Sequence, residues 1–372
     1  METYTVHTPR AQDDRNGCVM SGNGKPHIAS LSLATPPFAL SQAQSLEHLL
    51  RHYSGKLKPR SLSIIRKLFA HPGIMKRHFA IDDVDSFLTE SPDSRIARFN
   101  RWAVELSGKA VLNALANAGL SVNSITGLVV NTCTGYICPG ISTYLIEKLG
   151  LRRDIKVYDL VGSGCGGAIP NLEVAGSLLK NSDDGIIVSV SVEICSATFQ
   201  MGDDLSLLIS NSLFGDGASA AVLWNRPSGL ELIASASYYV PEDRDAIRYV
   251  HKNGQLHNQL STKLDDLVRE AVSQVIVKLL EQASLSVKKV KHWAVHTGGE
   301  KIINAVRDEI GLSENQLFHT RKILKEYGNM SSPTVWFVLN EILKEGIESG
   351  EWCVMVAFGA GLSAHAYLLR KS

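Results

Sequence analysis

The chain has 372 residues, of which 44% are hydrophobic and 20% are charged, as in an ordinary soluble globular protein. Its 38 basic and 37 acidic residues give a formal net charge of +1, which argues against nucleic-acid or anionic-membrane partners. The longest apolar runs, 186–190 and 354–358, have the length of strands and are too short to span a membrane.

The first 25 residues are polar and contain no apolar segment. They have the character of neither a signal peptide nor a transit peptide, so we expect 1–25 to be a disordered tail and the protein to be cytoplasmic. Six cysteines are spread along the chain without the paired spacing of a metal site. We expect them to be free thiols, with no metal bound.

From residue 26 onward, apolar patterns predict alternating strands and helices. The first half is predicted to contain, in order, a strand at 27–33, a helix at 41–52 capped by Ser41, a basic stretch at 56–77 broken at 71–73, a helix at 96–120, and strands at 128–132 and 155–160. A helix reaching about residue 180 and strands at 185–192 and 218–224 follow. The second half is predicted to contain helices at 264–283, 301–310 and 332–344 and strands at 293–296, 352–358 and 362–370. Continuously apolar strands indicate sheets covered by helices on both faces, hence an α/β fold.

Three segments recur in the same order, which indicates an internal duplication. The matched pairs are 118–132 with 283–297, Gly164-Cys165 with Gly328-Asn329, and 214–220 with 358–364, at offsets of 165, 164 and 144. Solenoid repeats run to only about 20–50 residues, so a period this long predicts a pseudo-twofold pair of domains. We place the two halves at 26–226 and 227–372.

Cys165 lies in the glycine-rich turn 162–167, between a predicted strand and a predicted helix. Glycines on both sides let the backbone turn sharply and let a substrate approach the sulfur. The N-terminus of a helix stabilises a thiolate, so we expect a lowered pKa for this thiol. A buried structural cysteine is the alternative, but this microenvironment favours a nucleophile.

His296 ends a predicted strand, at the position that the duplication pairs with Asn131. Asn329 stands at the position paired with Cys165, although asparagine is also a common helix cap. Together the three side chains would supply a nucleophile, a base, and hydrogen-bond donors for an enolate or oxyanion. No phosphate-binding loop is present in the sequence.

Five motifs carry a resemblance to a known family. They are Gly-Cys-Gly-Gly at 164–167, Leu-Phe-Gly-Asp-Gly at 213–217, His-Thr-Gly-Gly at 296–299, Gly-Asn-Met-Ser-Ser at 328–332 and Phe-Gly-Ala-Gly at 358–361. In this order they resemble the type III polyketide synthases, the chalcone-synthase-like branch of the thiolase fold, from about residue 28 to the C-terminus. The resemblance implies a five-layered αβαβα fold, a homodimer, and coenzyme A thioesters as substrates, with no carrier protein and no further cofactor.

The resemblance also implies roles for individual residues. Cys165 would carry the growing acyl chain as a thioester, while His296 and Asn329 would hold malonyl-CoA, promote its decarboxylation and stabilise the enolate. Phe214 would lie where the tunnel meets the cavity and assist decarboxylation. The remaining matches are Cys133, Thr134, Cys195, Thr198 and Ser331 as cavity residues, Cys138 as a residue that reaches the partner's cavity, and Lys67 and Arg66 as candidates for binding coenzyme A.

The chain departs from the plant enzymes of this family in several places, and its lysines and arginines match the family's coenzyme A cluster only loosely. No phenylalanine occurs in 248–260, where the plant enzymes have a second gatekeeping phenylalanine, and Ala360 replaces a proline. We therefore expect a fatty acyl-CoA starter rather than an aromatic one. The product is expected to be a pyrone, a resorcinol or a phloroglucinol.

Three other classes of protein share some of these features. A priming ketoacyl-carrier-protein synthase also has Cys, His and Asn, but its histidine is usually followed by Gln-Ala-Asn, whereas His296 is followed by Thr-Gly-Gly. A papain-type protease would have its cysteine early in the mature chain, in another context. A non-catalytic scaffold of the thiolase fold would tolerate the loss of any of the three residues, and all three are present.

Overall fold

The computed structural model describes residues 24–180, 184–252 and 254–372. The predicted tail at 1–25 lies outside these residues, apart from its last two. The strands are β1 His27–Ala34, β2 Ala39–Ser41, β3 Lys76–His78, β4 Gly127–Asn131, β5 Lys156–Leu160, β6 Ile187–Ile194, β7 Asp216–Trp224, β8 Leu230–Tyr239, β9 Ile247–Lys252, β10 Gln255–Leu260, β11 His292–Val295, β12 Trp352–Gly359 and β13 Ser363–Lys371. The helices are α1 Gln42–Tyr53, α2 Pro59–Phe69, α3 Val84–Thr89, α4 Pro92–Asn117, α5 Ile141–Leu149, α6 Ala168–Leu179, α7 Leu205–Leu213, α8 Leu264–Gln282, α9 Glu300–Ile310, α10 Phe318–Tyr327 and α11 Thr334–Glu345.

The helix starts follow ordinary capping chemistry. Ser41 caps α1 as predicted, and forms a capping box with Gln44. Proline occupies the first position of α2 and α4, where a missing N–H costs no helical hydrogen bond. The helix predicted from residue 96 therefore begins four residues earlier, at Pro92, behind the cap Ser91.

Nine strands form one mixed sheet in the order β11-β12-β13-β8-β1-β7-β6-β4-β5. In its first part, β4 is parallel to β6, and β6, β7 and β1 are successively antiparallel. The second part repeats this pattern, because β11 is parallel to β12, and β12, β13 and β8 are successively antiparallel. The two parts meet at only two residue pairs between β1 and β8.

Helices lie between and outside these two parts of the sheet. Central helices α6 and α11 contact strands of both parts, α4 and α5 cover the outer face of the first, and α8 covers that of the second, with α9 against it. Each interface is a cluster of buried aliphatic side chains, and burying one such side chain contributes about 1.5–3 kcal/mol. The expected five-layered fold with pseudo-twofold symmetry is therefore confirmed.

The predicted boundary between 226 and 227 falls in the loop that joins β7 to β8. That these halves are separate domains stays a prediction. Within the described residues, none of the helices combines the length and the apolar character that a bilayer crossing requires.

Candidate active site

Seven of the residues predicted from the sequence line one cavity of about 980 Å³. Its walls come from the ends of β4 and β11, the turn before α6, the end of α7 and the β9–β10 hairpin. The predicted residues among its lining are Cys133, Thr134, Cys165, Phe214, His296, Asn329 and Ser331.

Cys165 is half-buried in a one-turn 3₁₀ segment, Gly164–Gly167, that precedes α6. The opposing backbone at Gly359 is very close, because a Cβ there would lie 2.2 Å from the carbonyl oxygen of Ser163 and 3.0 Å from the amide nitrogen of Cys165. Only glycine fits at this approach. The nucleophile is thus fixed from both halves of the sheet.

The predicted lowering of the Cys165 pKa is wrong. Burial raises the pKa of this thiol to about 12, and hydrogen bonds with Ser331 and Asn329 act in the opposite direction. The negative charge of Glu193 raises it further. Cys165 is therefore a thiol until a base removes its proton.

His296 directly follows β11 and is fully buried, with its backbone N–H bonded to Val356 at 2.9 Å. Its ring packs edge-on against Phe358, with 5.2 Å between the ring centroids. Among the described residues, neither ring nitrogen has a hydrogen-bond partner. Burial lowers the pKa of this histidine to about 3, so the imidazole is neutral and able to accept a proton.

Asn329 is held by its backbone on both sides. Its N–H donates to the carbonyl of Leu213 and its own carbonyl accepts from the N–H of Gly215, both at 2.9 Å. The side-chain oxygen accepts from the N–H of Ser331 at 2.7 Å, which leaves the amide NH₂ available as a donor. Helix α11 is capped by Pro333, so the alternative role of Asn329 as that helix's cap is wrong.

Glu193, which the sequence patterns missed, organises the polar side of the cavity. One of its carboxylate oxygens accepts from the N–H and hydroxyl of Thr134 and from the N–H of Cys133, at 2.8–3.1 Å. The other accepts from Ser332 at 2.7 Å and from Ser331 at 3.3 Å. Burial raises the pKa of Glu193, while these donors favour the carboxylate. An acidic residue inside the apolar strand 187–194 was the available signal.

Ser331 has a strained backbone, with φ at +59° in the left-handed region. A non-glycine residue in such a conformation costs about 1–3 kcal/mol. Its hydroxyl lies 3.3 Å from the sulfur of Cys133, and its carbonyl accepts from the hydroxyl of Thr334 at 2.8 Å. These bonds hold the turn that aims Ser331 and Asn329 at Cys165.

Two predicted cavity residues, Cys195 and Thr198, line a smaller pocket of about 60 Å³ instead of the main cavity. Phe214 lines both spaces. Tyr249 of the hairpin lines the main cavity, and its hydroxyl lies 3.5 Å from that of Thr198. The sequence did not single out Tyr249.

Three further candidates lie outside both spaces. Cys138 is exposed, and a single chain does not test its predicted contact with a partner. Arg66 and Lys67 are exposed on the last turn of α2, next to Leu68, which lines the main cavity. Their role in binding coenzyme A stays a prediction. Among the described residues, no group of His, Cys, Asp or Glu side chains could hold a metal ion.

Two family models match this chain. Residues 36–239 match the FAE1/type III polyketide synthase-like protein family, and residues 231–372 match the C-terminal domain of chalcone and stilbene synthases. The chain belongs to the type III polyketide synthase family. It is therefore an acyltransferase, and the resemblance inferred from the five motifs is confirmed.

Similar type III polyketide synthases include enzymes of known products. The 3,5-dihydroxyphenylacetyl-CoA synthase of Streptomyces toyocaensis is 30% identical over 320 residues, covering 82% of each chain. The enzyme of that name from Amycolatopsis orientalis is 27% identical and covers 82% of this chain and 85% of its own length.

Solved structures of the family share the fold. Polyketide synthase PKS-I of the brown alga Ectocarpus siliculosus is 25% identical, with a TM-score of 0.86 over 94% of this chain and 99% of its own. The 1,3,6,8-tetrahydroxynaphthalene synthase of Streptomyces coelicolor also has a TM-score of 0.86, over 93% and 99%, at 23% identity.

Proposed function

We propose that this synthase loads an acyl-CoA on Cys165, extends it repeatedly with malonyl-CoA, and cyclises the chain to a resorcinol-type product. The observation that carries this proposal is the meeting of Cys165, His296 and Asn329 at one cavity wall. His296 supports it further, because a buried imidazole that has no partner among residues 24–180, 184–252 and 254–372 is available to a substrate.

Loading requires a base, because the Cys165 thiol is not ionised in the unliganded chain. The neutral His296 takes the thiol proton while the sulfur attacks the carbonyl carbon of the acyl-CoA thioester. The bond between that carbon and the sulfur of coenzyme A then breaks. His296 returns the proton to the departing thiolate, so free coenzyme A leaves and the acyl group stays on Cys165.

Extension begins when malonyl-CoA loses its carboxylate as carbon dioxide. The bonding electron pair moves onto the thioester carbonyl, and the resulting enolate oxygen accepts hydrogen bonds from the His296 ring N–H and the Asn329 amide. The enolate carbon attacks the acyl carbonyl on Cys165, whose thiolate leaves. The lengthened chain is then a thioester of coenzyme A and can be loaded again.

A fatty acyl starter is supported by the aliphatic lining of the cavity. Contributing side chains include Leu68, Ile96, Ile209, Leu256 and Leu264. A resorcinol-type product is supported by the relatives, whose names specify a 3,5-dihydroxyphenyl ring.

We also propose that the synthase is a homodimer that acts in the cytoplasm on coenzyme A thioesters, without a carrier protein or further cofactor. Strand β5 supports the dimer, since it is one of the two edge strands of the large sheet. Apolar side chains near it are exposed: Tyr136 by 79%, Val161 by 62% and Tyr158 by 45%. An open apolar edge of this kind favours pairing with another copy.

The proposal is tested with purified protein, malonyl-CoA and a series of starters. Acetyl-, hexanoyl-, decanoyl- and coumaroyl-CoA are compared with malonyl-CoA alone, and products are identified by mass. We expect alkylated resorcinols, with the highest yield from the longer aliphatic starters. Aromatic products from malonyl-CoA alone would disprove the fatty acyl starter and leave the synthase assignment standing. Absence of any malonyl-CoA consumption would disprove the function itself.

A further inference from the structure

Arg77 is a buried cation, only 2% exposed, beside the candidate active site. It belongs to the short strand β3. Its direct partners are neutral oxygens: Nε donates to the side chain of Gln42 at 3.0 Å, and Nη1 donates to the carbonyls of Asn211 and Phe214 at 2.8 and 2.7 Å. The guanidinium also lies over the rings of Phe69 and Phe79, at 5.5 and 5.0 Å from their centroids.

The carbonyls of Asn211 and Phe214 lie at the C-terminal end of α7. The last carbonyls of a helix have no intrahelical partner, and they carry partial negative charge. Arg77 binds those of Asn211 and Phe214, and Gln42 binds that of Ser212 at 2.8 Å. The carbonyl of Leu213, between them, accepts the N–H of Asn329. A buried cation therefore fixes the helix end to which the active-site asparagine is attached.

Arg77 also packs directly against the chain that carries Asn329. Gly328 has φ at +70°, and a Cβ there would lie 2.9 Å from the side-chain carbons of Arg77 and 2.6 Å from the carbonyl oxygen of Leu213. Beyond it, Phe214 and Asn329 form an isolated β-bridge. One side chain thus touches both strands of that bridge.

We propose that Arg77 is a positioning residue for the condensation step: it sets the Phe214–Asn329 bridge and thereby the place of the Asn329 amide. This inference rests on the proposed function, in which Asn329 stabilises the enolate. Cys165 and His296 are held by other elements, the turn before α6 and strand β11. Loss of Arg77 should therefore impair condensation and spare the loading of Cys165.

The test compares two rates in each variant: loading of Cys165 by decanoyl-CoA, followed by intact mass, and turnover of malonyl-CoA by the loaded enzyme. The variants are Arg77→Met, Arg77→Lys and Gln42→Leu. A displacement of about 1 Å at a catalytic group can cost about 10²-fold, so we expect Arg77→Met to lower kcat for malonyl-CoA by that order while loading is unchanged. Arg77→Lys keeps the charge and should therefore turn over malonyl-CoA faster than Arg77→Met. Gln42→Leu should also lower malonyl-CoA turnover while loading is unchanged, but by a smaller factor.

Arg98→Lys is the matched control, because Arg98 is also a buried arginine, 8% exposed, but donates to Glu90, Ser196 and Ala80. It should leave the ratio of the two rates unchanged. Arg77→Ala with added methylguanidinium is a second measurement, since Arg77 lines the small pocket through which the ion could rebind. Restored condensation at constant loading would support positioning.

The inference is overturned if loading and condensation fall in equal proportion in the folded Arg77→Lys and Gln42→Leu variants, or if neither rate falls. It is also overturned if Arg98→Lys lowers malonyl-CoA turnover and leaves loading unchanged. Failure of the proposed function would appear in the wild-type protein, which would then consume no malonyl-CoA after loading. Failure of the inference about Arg77 would appear only in the variants.

Discussion

Asn131 and His296 occupy equivalent positions in the duplication, yet the Asn131 side chain forms three hydrogen bonds and the His296 ring forms none with the described residues. Asn131, at the end of β4, donates to Ser332 at 2.8 Å and accepts from Asn171 and Ser191 at 2.9 and 2.7 Å. The fold therefore uses one copy of this position to join its two halves. At the other copy, the buried ring nitrogens of His296 have no partner among the described residues, and in the proposed function the substrate supplies one.

Cys165→Ala should abolish acyl loading and product formation while the protein stays folded, because alanine fits the space of the cysteine side chain. Intact-mass analysis after incubation with an acyl-CoA measures the adduct, and circular dichroism checks the fold. Cys353→Ala is a matched control, since Cys353 is a buried thiol in β12, remote from the cavity lining. An adduct that persists on the Cys165 variant would remove this residue from its role.

His296→Ala and Asn329→Ala should each slow condensation by about 10²–10³-fold, the cost of losing one oxyanion-type donor. They should differ in loading: the Asn329 variant should still acylate Cys165, whereas the His296 variant lacks the base that its un-ionised thiol needs. Malonyl-CoA turnover and acyl loading are measured separately for both. Near-normal turnover in either variant would contradict the assignment.

Stability should decrease on the acid side of neutrality because of buried histidines. Burial lowers the pKa of His296 to about 3 and that of His365 to about 4, whereas an unfolded chain binds the proton near 6.5. Below pH 6.5 the unfolded state therefore holds more protons, so stability is present above that pH and is lost as pH falls towards 4. Each histidine contributes a slope of about 1.4 kcal/mol per pH unit in that window.

Urea unfolding at pH 7, 6 and 5 measures this slope. His296→Gln should flatten it, because the titrating group is gone, and His365→Gln should do the same. His71→Gln serves as the control, because His71 is an exposed histidine. Equal slopes in the wild type and both buried-site variants would show that other groups control acid stability.

The three candidate catalytic residues could be proposed from the sequence because the duplication marks them. Cys165, His296 and Asn329 stand at matched positions, where one copy of a repeat departs from the other. The long strands were predicted from continuous apolar runs, and the long helices were predicted from apolar residues at helical spacing. Helix α2 was missed because its basic residues, such as Arg66, hid an apolar face that includes Ile65 and Phe69.

The supporting residues could not be predicted, because their roles arise from distant contacts. Glu193 meets Ser332 across 139 positions, and Arg77 meets Phe214 across 137. No local pattern records either pairing. The predicted direction of the Cys165 pKa shift was wrong for the same reason. The sequence indicated the helix that follows Cys165, but it did not indicate that the sulfur is buried.

Glu193→Gln should destabilise the protein by about 1–3 kcal/mol, the usual cost of unmatched buried polar groups. The carboxylate accepts from Thr134, Ser331 and Ser332 among others, and a glutamine NH₂ would face some of these donors without accepting from them. Urea unfolding at pH 7 measures the loss. Glu173→Gln is a control on α6. A variant as stable as the wild type would mean that Glu193 is protonated in the folded protein and that its network tolerates an extra donor.

Starter length should be controlled at Tyr249 more than at Cys195. Cys195 and Thr198, which we expected to line the cavity, line the smaller pocket instead, and the Tyr249 hydroxyl lies 3.5 Å from that of Thr198. Tyr249→Ala should open this region to the main cavity. Each additional buried methylene contributes up to about 0.8 kcal/mol, or about fourfold in kcat/KM. We expect the preferred acyl-CoA to become longer, while Tyr249→Phe, which keeps the ring, preserves the wild-type preference.

The prediction is checked by measuring kcat/KM over a series of acyl-CoA lengths. If Cys195→Phe shortens the preference and Tyr249→Ala leaves it unchanged, the small pocket rather than Tyr249 sets the limit.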